Sequence, residues 1–165
     1  MKNRQIMYQG AIVAVEAVTL DSGRVYELVR TANVSAVVAL RTSQGSEEVL
    51  GVSQHRLPAG GSLWEIPAGR IDSGETPLSC AQRELAEETG YAADTWDALG
   101  GFYSTPGFST EYIYVFLARD VYRVPEPPNG DETELHVAWL DTSAVETPDA
   151  KTLAALFMAQ QAGFL

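Results

Sequence analysis

The chain is poor in basic residues, cysteine and histidine, and it has no long apolar run. Eleven Lys and Arg stand against 22 Asp and Glu, a formal net charge of −11. With no basic cluster anywhere, the charge argues against a nucleic-acid backbone or an anionic membrane surface as partner. An acidic protein can still take a phosphorylated ligand if cations bridge the two sets of negative charge. No stretch reaches the ~18 apolar residues of a membrane span, and Met1-Lys2-Asn3-Arg4 leads into no signal-peptide core. Cys80 is the only cysteine, so no intrachain disulfide forms, which fits a reducing cytoplasm. His55 and His136 have no partners at zinc-ligand spacing. No nucleophile-elbow sequence is present to support acyl-enzyme chemistry. What remains is a 165-residue chain, 45% hydrophobic and 20% charged. That is the size of one domain burying roughly two-thirds of its unfolded surface.

What the chain does have is a dense stretch between Gly69 and Tyr91, with five carboxylates and three glycines in 23 residues. It begins Gly69-Arg70-Ile71-Asp72-Ser73-Gly74-Glu75 and ends Arg83-Glu84-Leu85-Ala86-Glu87-Glu88-Thr89-Gly90-Tyr91. Glu84, Glu87 and Glu88 stand at i, i+3 and i+4, so they share one helix face. Like charges on adjacent turns repel, and a divalent cation with hard oxygen ligands is the natural offset. Thr76-Pro77 reads as a helix start and Gly90 as a left-handed C-terminal cap. Leu78, Ala81 and Leu85 form the apolar stripe expected to face inward. Arg83 can pair with Glu87 on the same helix or hold the preceding loop through Glu75. A carbonyl exposed at the tight turn, such as that of Ala68, is a further candidate metal ligand.

The coarse pattern elsewhere is strands, one helix, more strands and a last helix. Residues 10–20 and 24–31 flank Asp21-Ser22-Gly23, a hairpin signal. Strands are expected at 34–40, 49–54, 63–66, 99–104, 111–118 and 135–140. The prolines within 122–131 exclude regular structure there. Thr147-Pro148-Asp149 opens a second helix, in which Leu153, Leu156 and Phe157 follow helical spacing. With no repeat and no linker, residues 1–165 read as a single domain of mixed sheet and a few helices, of the α/β (α+β) class.

The 69–91 stretch resembles the Nudix box, the signature of the Nudix hydrolase family. Gly69, Glu75, Arg83, Glu84, Glu87, Glu88 and Gly90 fill its fixed positions and Leu85 its first aliphatic slot. Tyr91 departs from the usual Ile, Leu or Val at a packing position. The resemblance implies an α/β/α sandwich with a mixed central sheet. It also implies two or more Mg²⁺ ions, or Mn²⁺, held by Glu84, Glu87, Glu88 and the Ala68 carbonyl, with Arg83, Glu87 and Glu88 in the catalytic set.

Further markers resemble the ADP-ribose pyrophosphatase branch of that family. They are Gln54-His55-Arg56, Trp64-Glu65-Ile66-Pro67-Ala68-Gly69, and the Ser104-Thr105-Pro106-Gly107…Glu111 segment that starts shortly after the box. They make Arg56, Glu65, Pro106, Gly107 and Glu111 candidate substrate contacts, the arginine's planar fork suiting a phosphate oxygen. In the resembling enzymes a glutamate on a later loop is the general base. Here Asp131-Glu132-Thr133-Glu134 offers Glu134, with Glu132 second. The implied reaction is hydrolysis of ADP-ribose to AMP and ribose 5-phosphate in the cytoplasm. By the same analogy the N-terminal antiparallel strands, 1–32, are exchanged between the subunits of a homodimer. Another nucleoside diphosphate sugar such as GDP-mannose, an oxidised nucleotide, or a non-catalytic ligand sensor are the competing readings.

Overall fold

A computed structural model describes residues 3–125 and 135–165. The core grows around one strand, β4 (Val34–Ser43), whose two faces are covered by different helices. Ala36, Val38 and Leu40 pack with Ala155 and Ala159 of α2 (Ala150–Gln161). Val37 and Ala39 pack with Ala81 and Leu85 of α1 (Pro77–Thr89). This is the period-2 consequence of a strand buried on both sides, which reads as a continuous apolar run. Strand β4 runs parallel to β9 (Tyr112–Arg123) and antiparallel to β5 (Ser46–Arg56) and β7 (Ala68–Arg70). β8 (Tyr91–Tyr103) pairs with β9, β10 (His136–Asp141) with β5, and β6 (Gly61–Glu65) with β5. The expected mixed-sheet sandwich with a helix on each face is what forms.

A separate three-stranded antiparallel sheet holds β1 (Asn3–Gln9), β2 (Ala14–Thr19) and β3 (Val25–Arg30). The Asp21-Ser22-Gly23 hairpin forms between β2 and β3, with Gly23 at φ 85° donating its N–H to the Leu20 carbonyl. The expectation of one strand over residues 10–20 is corrected. Gly10 to Val13 is a turn closed by Gly10 N–H on the Val13 carbonyl, and it frees residues 3–9 to add a strand. This sheet is tied to the body through the segment after β8. Val29 N–H donates to the Phe108 carbonyl, Thr110 N–H donates to the Val29 carbonyl, and the Tyr26 hydroxyl donates to Gly107.

Three further expectations need adjusting. Residues 122 and 123 lie in β9, not in a loop, because Ala92 and Tyr91 pair with them; the strand stops just short of Pro125. Ala81 and Leu85 of the expected stripe are buried, but Leu78 is exposed and Cys80 and Thr89 join the buried face. In α2 the large apolar Leu153 and Phe157 point outward, while Thr152, Ala155 and Ala159 face the sheet. Small residues let that helix lie close against β4.

Helix α1 begins and ends as its sequence dictates. Thr76 and Ser79 exchange side-chain and backbone hydrogen bonds as a reciprocal cap, Pro77 follows, and Gly90 takes φ 72° at the far end. Helix α1 lays Glu84 over Gly69 of β7, so a Cβ there would run into the Glu84 carboxylate. The group in the way is the mobile end of a side chain, so Gly69→Ala is expected to fold and to displace that carboxylate. Urea unfolding should stay within about 1 kcal/mol of wild type. Mn²⁺ affinity, read by electron paramagnetic resonance, should fall roughly tenfold or more. Unchanged affinity would show that the Gly69–Glu84 approach does not matter to a cation.

Candidate active site

A cleft of about 620 Å³ opens at the end of the sheet where β7, α1, α2 and the loop after β8 meet. Ala68, Gly69 and Arg70 enter it from β7, and Glu84 and Glu88 from α1. Arg56 closes it from the end of β5, and Ser104, Thr105 and Glu111 from the loop between β8 and β9. Asp149, Ala150 and Lys151 complete it at the start of α2. Residues more than 90 positions apart in sequence therefore share one hollow.

Within the acidic face Arg83 is the organising group. Its Nε and Nη2 donate to Glu75 Oε1 and Oε2, both at 3.0 Å. Its Nη1 donates to Glu84 Oε1 at 2.6 Å and to Glu87 Oε2 at 2.9 Å, and Nη2 also reaches the Arg70 carbonyl at 3.1 Å. Both pairings foreseen for Arg83, with Glu87 and with Glu75, are thus present together. Hydrogen bonding to Arg83 holds the Glu75 carboxyl below its ordinary range. Glu84 behaves oppositely, for its side chain is only 13% exposed and burial pushes its carboxyl up despite Arg83. Glu88 is steered toward β7, where Oε2 accepts from Ala68 N–H at 3.0 Å.

Among the described residues, no three His, Cys, Asp or Glu side chains converge as a ready cation cage. The reason is visible in the contacts above, since Glu84 and Glu87 are both turned onto Arg83. The donor set nevertheless fits a divalent ion. Hard carboxylate oxygens on one helix face stand beside the Ala68–Gly69 backbone, with Glu88 bonded to Ala68 N–H and Glu84 against Gly69.

Of the proposed substrate contacts, Arg56 and Glu111 line the cleft. Glu65, 3% exposed, lies behind Arg56 and accepts from its Nε at 2.7 Å and its Nη2 at 2.8 Å. Pro106 and Gly107 do not line it. They form the outer turn of a loop whose neighbours Ser104 and Thr105 do, and Gly107 is spent on the bond from Tyr26. Glu132 and Glu134 lie outside the described residues. Cys80 is buried with its thiol pushed up to about 11, chiefly by burial, and directs Sγ at the Arg70 carbonyl, which makes it a packing group. Tyr91, the departure from the motif, packs edge-on against Trp139 at 5.6 Å.

Sequence reasoning missed Lys151 and Asp149. Lys151 Nζ donates to Glu65 Oε2 at 2.7 Å and to Asp149 Oδ2 at 2.9 Å. A signal existed: the chain has only two lysines, and the helix start read at Thr147-Pro148-Asp149 places one of them in a first turn.

Comparison with known proteins places the chain in a family. Residues 31–160 match the NUDIX domain. An ADP-ribose pyrophosphatase of Bacillus subtilis (strain 168) is 36% identical over 135 residues, covering 79% of this chain and 71% of the relative. A protein of the same description from Mycobacterium tuberculosis (strain ATCC 25618 / H37Rv) is 34% identical over 141 residues, covering 82% and 67%. A crystal structure of an ADP compounds hydrolase superimposes with a TM-score of 0.80 at 24% identity, covering 99% of this chain and 95% of that one, a likeness of fold. Enzymes with this domain generally need divalent metal ions. Motif carboxylates gathered at one end of the sheet, and similarity across most of the length, lead to one assignment: the chain belongs to the Nudix hydrolase family.

Proposed function

We propose that the protein hydrolyses the diphosphate bond of ADP-ribose, giving AMP and ribose 5-phosphate. The observation that carries this reading is the cleft itself. Motif acids on α1 and the β7 backbone meet the Arg56–Glu65 pair and the 104–111 loop there, in a chain about 35% identical to two ADP-ribose pyrophosphatases. The cofactor would be Mg²⁺, or Mn²⁺, two or more ions, held by Glu84, Glu87, Glu88 and the Ala68 carbonyl. The chemistry such ions supply is neutralisation of the diphosphate, activation of water and stabilisation of the departing phosphate oxygen.

The protein's own groups do the rest. Arg56, clamped in plane by Glu65, offers guanidinium hydrogens to non-bridging phosphate oxygens. Glu88, fixed by Ala68 N–H, keeps its carboxylate at the reacting end without having to reorganise. Arg83 sets the positions of Glu84 and Glu87 and limits their repulsion until substrate arrives. Water attacks one phosphorus, the bridging P–O bond breaks, the departing phosphate keeps the electron pair, and the water proton passes to a base. Glu134, or failing it Glu132, is the proposed base. The N-terminal sheet is the proposed dimer contact, and the cytoplasm the proposed compartment.

A sugar-nucleotide panel with Mg²⁺ tests the reaction. ADP-ribose should give AMP, and preferential release from GDP-mannose or an oxidised nucleotide would replace the proposed substrate. No product from any of them would favour a ligand sensor. Glu87→Gln and Glu88→Gln are each expected to lower kcat by about two orders of magnitude or more. Near-normal turnover in both would remove these residues from the chemistry. Glu134→Gln should cost roughly 10²–10⁴-fold if it is the base, and wild-type rates in it and in Glu132→Gln would free that loop of a catalytic role. Light scattering should give twice the mass of one chain; a monodisperse monomer at working concentration would end the dimer proposal.

A further inference from the structure

The cleft holds a cation that the Nudix motif does not account for. Lys151 lies in the first turn of α2, where a positive side chain opposes the helix dipole, typically at a cost of about 0.3–1 kcal/mol. Its side chain is only 15% exposed, yet it lines the cleft. In an acidic chain with two lysines, one is placed here, between the buried Glu65 and Asp149.

An ammonium has three N–H donors and no acceptor. Two of them go to Glu65 at 2.7 Å and Asp149 at 2.9 Å, and Lys151 has no third acceptor among the described residues. Its two partners are themselves fixed. Asp149 caps α2 by accepting from Thr152 N–H and Thr152 Oγ1, and Thr152 Oγ1 accepts from Ile66 N–H. Glu65 is buried and also grips Arg56. Burial pushes the Glu65 carboxyl up, but Arg56 and Lys151 outweigh that and hold it below its ordinary range, so it stays an anion. One buried carboxylate thus fixes two cations in the same cleft, and both point at a ligand rich in oxygen acceptors.

We infer that Lys151 is a substrate-binding residue: it donates its remaining N–H to a non-bridging diphosphate oxygen, alongside Arg56 on the Glu65 brace. This rests on the hydrolase reading above and adds to it a second recognition element, outside the motif, on α2. A Lys151 that serves stability alone would, when lost, reduce the folded fraction, and with it kcat, and leave KM where it was. One that acts only by holding Glu65 under Arg56 would raise KM no further in an Arg56→Met background, which would equally overturn a direct contact.

Steady-state kinetics on ADP-ribose with Mg²⁺, for wild type, Lys151→Met, Lys151→Arg, Arg56→Met and the double Met variant, separate these roles, with urea unfolding of each as control. Lys151→Met should raise KM about tenfold with kcat changed less than about threefold, as for one lost charge-assisted hydrogen bond. Lys151→Arg should return KM to within about threefold of wild type, because it restores a donor on the same carboxylates. A wild-type KM in Lys151→Met, whatever its stability, overturns the inference. Should wild type release product from no sugar nucleotide, the hydrolase reading fails on its own, and calorimetry of ADP-ribose binding decides the role of Lys151. Roughly tenfold weaker binding by Lys151→Met would sustain it. Equal affinity, or no binding by wild type, would end it.

Discussion

The arrangement depends on keeping several carboxylates close together in a half-buried place. Two unit charges about 4 Å apart repel by about 4 kcal/mol at an effective dielectric of about 20, a large fraction of the net stability of a domain this size. Arg83 answers that repulsion by bonding Glu75, Glu84 and Glu87 at once. Its guanidinium is the right group because a planar fork satisfies several oxygens in fixed directions, which a lysine ammonium does not. The neutralisation is incomplete, since one guanidinium faces Glu75, Glu84 and Glu87, with Glu88 on the same helix face. The face therefore keeps a net negative charge, a setting that suits hard divalent cations.

A second charge centre sits elsewhere in the cleft and uses the opposite logic. There a single buried acid, Glu65, gathers Arg56 and Lys151, and Asp149 anchors the lysine from the α2 cap. The acidic centre gathers carboxylate oxygens and the second centre gathers cationic hydrogen-bond donors. A diphosphate sugar needs both, with charge neutralised on one side and direction imposed on the other.

Much of this was legible in the sequence where the information is local. The cap at Thr76-Pro77, the left-handed Gly90, the shared face of Glu84, Glu87 and Glu88 and the pairings of Arg83 all depend on spacings of eight residues or fewer. Strand β4 was legible because an apolar run buried on both faces has few alternatives. What was not legible depends on distant partners. Whether Leu78 or Cys80 turns inward is set by how α1 sits on β7, not by its periodicity. Leu153 and Phe157 look like core until the close packing of Ala155 and Ala159 on β4 is seen. Residues 122 and 123 become strand only because Tyr91 and Ala92 lie beside them. Lys151 joins Glu65 across 86 positions, and no local pattern announces that.

The parallel bridge between Val29 and Ser109 has a wider consequence. The loop bearing Thr105 and Glu111 forms one rim of the cleft, and it is laced to β3, which ends at Arg30, just before the matched domain begins at residue 31. The rim of the cleft is thus buttressed by a segment that precedes the matched domain. A change in that ribbon is transmitted to the mouth of the cleft through main-chain bonds, with the motif itself untouched.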